Sequence, residues 1–430
     1  MGYKQTATTC TVQIVPYRTL PSQIAALCEA LRREAGRCWT DMVQAHVASR
    51  DGTWLTERDL RAMTRGGRYR LHSQSVQALG QKLIANVDTA RALRDREQQA
   101  GAEIRSRYPH QPKPYQTVTW KDQAIRVRDG RIELPNGRHQ DDLVLPLPER
   151  FHSATIRKAE LLWRADHYQL ALTIEQPPDP PLRQDGQTAG VDLGEINMAA
   201  ICTERGQALV ISGRLLRHHK QLRNKRHAAY EERLARCRKG SRHWKRLKRQ
   251  KARASAKLYC QQRNHLHQAS RKLVDFAIAQ GIKHLTIGDV RDIADGVDKG
   301  ARANQKISQW PHGQFMGYVI YKARRQGIAV SQIDEAYSSR ACSHCAHVRH
   351  TTPRGRVFKC PGCGVQCHRD ANGAANIVSK AVYGLYGRVH VQSLMHRRAT
   401  VVRAPTRAPV AGMHPEAPPA FGLSPEAHQL

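Results

Sequence analysis

Acidic side chains are scarce in this chain. Its 430 residues carry 36 Asp and Glu against 70 Lys and Arg, a formal charge of +34. Solubility needs far less than that. A cationic surface of this size implies a polyanionic partner, and nucleic acid and membrane lipid are the candidates. Long apolar runs are also missing. No stretch of about 18 apolar residues occurs, so a membrane-spanning helix is not expected. No charged-then-apolar leader opens the chain, so export is not expected either. A disulfide framework is lacking too. Of the 11 cysteines, those at 10, 28, 38, 202, 237, 260 and 367 are scattered through helix-like and strand-like segments. That scatter suits buried thiols in a reducing cytoplasm.

The other four cysteines are present in a pattern. Cys342-x2-Cys345 is followed, fourteen residues on, by Cys360-x2-Cys363. Two such knuckles supply the four sulfurs of a tetrahedral structural Zn²⁺ site, each pair from one tight turn. Pro361-Gly362 and Gly364 suit that turn. We read a zinc ribbon over 336–368. Cys367 and His368 follow the second knuckle and read as packing residues, since four sulfurs are already in place.

The length allows two or three domains. Thr8–Val15 alternates as a strand, and helical spacing follows over 21–49 and 73–104. Short strands return at 115–120, 124–128, 131–134 and 142–147, with turns at Asp129-Gly130 and Asn136-Gly137. A strand pair, 155–163 and 168–174, precedes the stiff segment Gln176-Pro-Pro-Asp-Pro-Pro. These features predict a β-barrel over 1–185 with a helical insertion at about 18–110.

A second domain is predicted over 186–380, with the ribbon inserted in it. Residues 188–211 read as two antiparallel strands. Asp192 lies between Val191 and Leu193 in a strand expected to be buried. An ionised carboxylate there costs several kcal/mol unless a cation or donors compensate it, so a metal ligand is the better reading. Residues 214–257 hold eighteen Lys or Arg and two acids, Glu231 and Glu232. A run of one sign repels itself, and phosphate contact explains it better than a solvated face. The candidates are Arg223, Lys225, Arg226, Arg238, Lys239, Arg242, Lys245, Arg246, Lys248, Arg249 and Lys251. Trp244 and Tyr259 are read as packing against the domain. A helix over 264–279, a strand over 283–290, a helix over 310–327 and a strand over 328–335 complete the pattern. Residues 381–430 read as a disordered tail.

That order of elements is the order of an α/β RNase H-like fold. Asp192 then stands on the first strand and Asp370 at the start of the last helix. Two such acids with a third can hold two Mg²⁺ ions about 4 Å apart for phosphodiester hydrolysis.

Val-Asp192-Leu-Gly, the four-cysteine ribbon and Arg-Asp370-Ala-Asn-Gly-Ala-Ala-Asn-Ile together resemble the TnpB (OrfB) proteins of insertion sequences. These are RNA-guided DNA nucleases related to compact CRISPR type V effectors. The resemblance implies a wedge barrel with a recognition lobe, a RuvC nuclease domain, guide RNA and double-stranded target DNA as partners, and no small-molecule cofactor. It also implies a bacterial, cytoplasmic, nucleoid-associated protein. Nothing resembles the His-hydrophobic-His and Tyr pattern of the strand-joining transposase.

One departure stands out. The family's second acid usually sits in an apolar-apolar-Glu-Asp-Leu strand, and here Gly288 takes the Glu position. Two explanations compete: a nuclease-dead guided repressor, or a relocated carboxylate. Glu335, on the neighbouring strand, is the favoured relocated acid, because adjacent strands lie about 4.8 Å apart and Gly288 leaves room. Asp289 is its rival, although alternation points it to the other face of the sheet.

Overall fold

The computed structural model describes residues 10–290, 300, 304, 309–351, 353 and 355–398. The first strand, β1 (Cys10–Tyr17), is followed by helices α1 (Ser22–Ala48), α2 (Glu57–Met63) and α3 (Ser73–Gln99). Next come β2 (Val118–Lys121), β3 (Arg126–Arg128), β4 (Arg131–Leu134), β5 (Leu143–Pro146), β6 (Ile156–Arg164) and β7 (His167–Glu175). Period-two burial marks β6 and β7, where Leu161, Leu170 and Leu172 are fully inside. Leu31, Trp39 and Met42 of α1 and Leu79 and Leu83 of α3 join them in one core.

These strands lie in two sheets, β1-β7-β6-β2 and β3-β4-β5, rather than in one closed ladder. A 3₁₀ turn at Asp122–Ala124 separates β2 from β3, and β3 to β5 are only three or four residues long. The expected barrel is therefore a pair of sheets over a shared core. Helix α2 escaped the sequence reading because its seven residues bury a single side chain, Leu60. Its signal was local: Thr56 and Asp59 form a capping box.

The second half is built on a six-stranded sheet. It holds β8 (Gln187–Leu193), β9 (Asn197–Thr203), β10 (Gln207–Ser212), β11 (Ile282–Gly288), β12 (Ala329–Ile333) and β15 (Ser393–Arg397). The order is β12-β11-β8-β9-β10-β15. β8 to β10 are antiparallel neighbours, whereas β11, β12 and β15 add in parallel. Helices α4 (Arg214–Ala235), α5 (Arg242–Ala279) and α6 (His312–Arg324) lie between these strands in sequence. Leu266, Leu273 and Phe315 of α5 and α6 pack under Val191, Ile201 and Ile287. On the opposite face lies α7 (Arg369–Tyr383), whose Ala371, Ala374 and Val378 meet Ala200, Cys202 and Val210. The ribbon hairpin, β13 (Val357–Lys359) with β14 (Gln366–His368), leads directly into α7. Among the described residues, no helix is long and apolar enough to cross a membrane.

Four sequence expectations change. The two strands expected over 188–211 are three, because a turn at 194–196 separates β8 from β9. The basic segment does not end at 257: α5 carries it without a break into the helix expected over 264–279. Strand β12 stops at Ile333, so Glu335 stands two residues beyond it, in a loop. Finally, residues 384–398 are not a tail, since β15 pairs in parallel with β10. Its five residues, SLMHR, are too few and too polar to announce a strand. Residues 399–430 lie outside the described residues.

Close approach of α7 to β8 sets the geometry of this half. A methyl group on Gly190 would run into the backbone Ala374 O and Val378 N and lie 3.1 Å from the Ile377 carbonyl carbon. Backbone cannot give way as a flexible side chain does. Gly190→Ala is therefore expected to cost about 1–3 kcal/mol in thermal unfolding. Gly52→Ala, with nothing within 4 Å, should leave the transition nearly unmoved.

Candidate active site

Strand pleat decides which side chains face α7. In β8, Ala189, Val191 and Leu193 enter the core beneath the sheet. Gly190 and Asp192 therefore face α7. Helix α7 rides over Asp192 at Gly373, where a methyl group would lie 2.7 Å from Asp192 Oδ2. Any larger residue at 373 would displace the carboxylate.

The register of β11 against β8 pairs Ile287 with Val191, so Gly288 comes level with Asp192, one residue on. β11 against β12 pairs Gly288 with Ile333. Two residues past Ile333, Glu335 folds its side chain over Gly288. A methyl group there would overlap Glu335 Oε2 and lie 3.1 Å from Glu335 Cβ. The volume left by the missing side chain at 288 is thus filled by the Glu335 carboxylate. Its Oε2 is buried and has no hydrogen-bond partner among the described residues.

Asp370 arrives in the first turn of α7, where the helix dipole favours an anion. Its Oδ2 accepts from Asn197 Nδ2 at 2.7 Å and Arg356 at 3.1 Å, and its Oδ1 from Arg369 Nε at 3.2 Å.

The electrostatics tie these groups together. Burial first, then the charges of Glu335 and Asp370, push Asp192 well above the ordinary carboxylate range, and Arg369 pulls weakly the other way. Glu335 is pushed up to about 7 by burial, then by Asp289 and Asp334. The three carboxylates are more loosely grouped than the ribbon cysteines: the latter alone, among the described residues, form a cluster within 4.8 Å.

In the ribbon, Sγ of Cys342, Cys345, Cys360 and Cys363 all lie within 4.8 Å of one another. The Cys342–Cys363 and Cys345–Cys360 separations are 3.7 and 3.5 Å. Tetrahedral Zn–S bonds of about 2.3 Å put sulfurs about 3.8 Å apart, so these four could hold a zinc ion. Cys360 is opposed by burial, but the N–H groups of Cys363 and Gly362 bring it down to about 7. Cys367 stays outside the cluster. Burial, then Cys360 and Cys363, push its thiol up to about 11.

Two asparagines of the quoted Asp370 motif were given no role in the sequence reading. Asn372 Oδ1 accepts from Ser343 N at 2.9 Å, and its Nδ2 donates to Ala341 O at 2.8 Å. Asn376 Nδ2 donates to Ser338 O and Ala341 O at 2.9 and 2.7 Å. Both asparagines are fully buried and fasten the first knuckle to the Asp370 helix. Their spacing of four, on one helical face, was the available signal.

The basic segment forms the helix pair α4 and α5. Lys225, Arg226, Arg238, Lys239, Arg242, Lys245, Arg246, Lys248 and Arg249 are exposed on it. Arg223 and Lys251 are half-buried, and Lys251 pairs with Glu231 across the two helices. Lys248 Nζ stands 4.6 Å from the Trp244 ring centroid. Tyr259, expected to pack, is exposed. Its place on the outer face of α5 is the reason.

A family model described as a probable transposase (OrfB, IS605) matches residues 171–294. Another, described as the Cas12f1-like TNB domain, matches residues 312–377. A CRISPR-associated endodeoxyribonuclease Cas12f1 from Sulfoacidibacillus thermotolerans is 35% identical over 112 residues, 26% of this chain and 25% of that protein. A TnpB-like protein of Acidianus two-tailed virus is 28% identical over 209 residues, 46% of this chain and 42% of that protein. The matched segments thus span between a quarter and a half of these relatives. In fold, the chain is similar to Cas12f1 in a cryo-EM Cas12f1-sgRNA-target DNA complex. The TM-score is 0.60 at 14% identity, covering 84% of this chain and 83% of that one.

Zinc content separates ligands from neighbours. Cys345→Ser should lose most of about one zinc per chain by elemental analysis. Cys367→Ser should keep it.

Proposed function

Because the chain belongs to the TnpB/OrfB family, we propose that it is an RNA-guided DNA endonuclease. Asp192, Glu335 and Asp370 are its catalytic carboxylates. The observation that carries this reading is Glu335 lying over Gly288, level with Asp192, its Oε2 buried without a hydrogen-bond partner among the described residues. A carboxylate oxygen kept in that state fits a cation site better than a packing role. The reading assigns residues 1–185 to the wedge and its recognition insertion, and 186–380 to an RNase H-like nuclease domain extended by β15.

The three acids would hold Mg²⁺, two ions in the reading favoured here. Bound there, Mg²⁺ supplies a Lewis acid for the phosphoryl oxygen and lowers the pKa of bound water. The chain's own groups do the rest. Asn197 and Arg369 fix the Asp370 carboxylate in orientation. Gly373 keeps α7 close over Asp192, so the acids stand in a site of low dielectric where electrostatic effects are strong. The exposed cations of α4 and α5 supply a surface for guide RNA and its heteroduplex, while sequence discrimination comes from base pairing. Zn²⁺ in the ribbon would be structural, holding the knuckle that Asn372 and Asn376 tie to the Asp370 helix.

A guided repressor of the same fold is the second reading, favoured by glycine at position 288. It predicts guide-dependent DNA binding without nicking at any Mg²⁺ concentration.

Purified protein–RNA complex should cleave matched DNA in Mg²⁺ and not in chelator. Asp192→Ala should reduce cleavage by more than about 100-fold while leaving target binding intact. Glu335→Ala should do the same. Persistence of cleavage in Glu335→Ala would remove that residue from the site, and binding without any wild-type nicking would favour the repressor.

A further inference from the structure

Beside Asp370, the β15 edge of the sheet opens into a cavity of about 500 Å³. Arg214, Arg356, Arg397, Arg398, His368 and His396 line it, and among the described residues no carboxylate does. Two lining residues, Asn197 and Arg356, both donate to Asp370 Oδ2. Those two residues connect the cavity to Asp370, which does not itself line it.

Its far wall comes from β15, which neither family model reaches. β15 pairs with β10 so that Leu394 is level with Ala208 and His396 with Val210. Ala208 and Val210 pack on the α7 side of the sheet, and Leu394 with them. The pleat therefore brings His396 to the face that carries Asp192, with its ring 5.5 Å from that of His368. His368 Nδ1 is buried without a hydrogen-bond partner among the described residues. Lys272 Nζ donates to Arg398 O at 2.6 Å and anchors the end of the strand to α5.

Arg356 is already paired with Asp370, so the positive charge left at the cavity comes from Arg214, Arg397 and Arg398, whose mutual repulsion an entering anion would relieve. Their planar forks match phosphate oxygens, and the donors outnumber what a single anion would need. We propose that this cavity binds the sugar–phosphate backbone of the DNA strand next to the bond being cut. Arg397 and Arg398 are then substrate-binding residues supplied by the C-terminal strand. The proposal rests on the nuclease reading for the identity of the strand.

The test needs no cleavage. The full chain is irradiated with a short single-stranded oligodeoxythymidylate carrying 4-thiothymidine, and crosslinked peptides are mapped by mass spectrometry. Residues 393–398 should be labelled. Arg397→Gln/Arg398→Gln should lower that label at least about tenfold and reduce the salt slope of binding by about two. Arg397→Lys/Arg398→Lys should retain much of the label. Arg126→Gln/Arg128→Gln, on exposed β3, should change nothing. Equal melting temperatures would exclude unfolding. An unlabelled 393–398 peptide, or an oligouridylate that displaces the probe far better than unlabelled DNA, overturns the proposal. Labelling in a protein that never nicks DNA would leave the cavity's role standing and remove the nuclease reading instead.

Discussion

Bringing Asp192, Glu335 and Asp370 together runs against their mutual repulsion, and burial removes the water that would screen it. The chain offsets this unevenly. Asp370 has two arginines, an asparagine and a helix N-terminus. Asp192 sits under α7 at Gly373, and Glu335 Oε2 has no hydrogen-bond partner among the described residues. Asymmetry of this kind is hard to understand as packing, because a hydrophobic replacement would be more stable. It is understandable if the uncompensated acids are kept for cations, as the proposed function requires.

Small residues make that confinement possible. Gly190 lets the backbone of α7 come close over β8, Gly373 leaves room for the Asp192 carboxylate, and Gly288 leaves the gap that Glu335 fills. The Asp370 helix also carries Asn372 and Asn376, whose amides satisfy buried backbone groups of the first cysteine knuckle. One helix thus links the ribbon and the sheet, and carries Asp370. Leaving those backbone groups unmet would cost roughly 1–3 kcal/mol each.

Much of this was legible in the sequence because the signals were periodic or evenly spaced. The paired cysteines came from spacing, α1 and α3 from their apolar stripes, and β8 from its apolar run around one acid. What was hidden depended on partners distant in sequence. β15 is a strand only because β10 presents an open edge to it. The length of α5 was obscured by a charge run that changes to an apolar face without a break. The loop position of Glu335 could not be read from a segment whose alternation continues past the last ladder bond. Asn372 and Asn376 stood in the quoted motif, but their role as fasteners became visible only with the knuckle in place.

The central claim is that one carboxylate has moved from position 288 to position 335 without leaving its place in space. Moving it back is the most direct measurement. Cleavage of matched DNA would be compared for Gly288→Glu, Glu335→Ala and the double variant. The account predicts that each single change is strongly impaired, the first by crowding and the second by loss of the acid. The double variant should recover at least about tenfold over Glu335→Ala, a large positive coupling between touching positions. A double variant no better than Glu335→Ala alone, or a Glu335→Ala protein as active as the wild type, would contradict it.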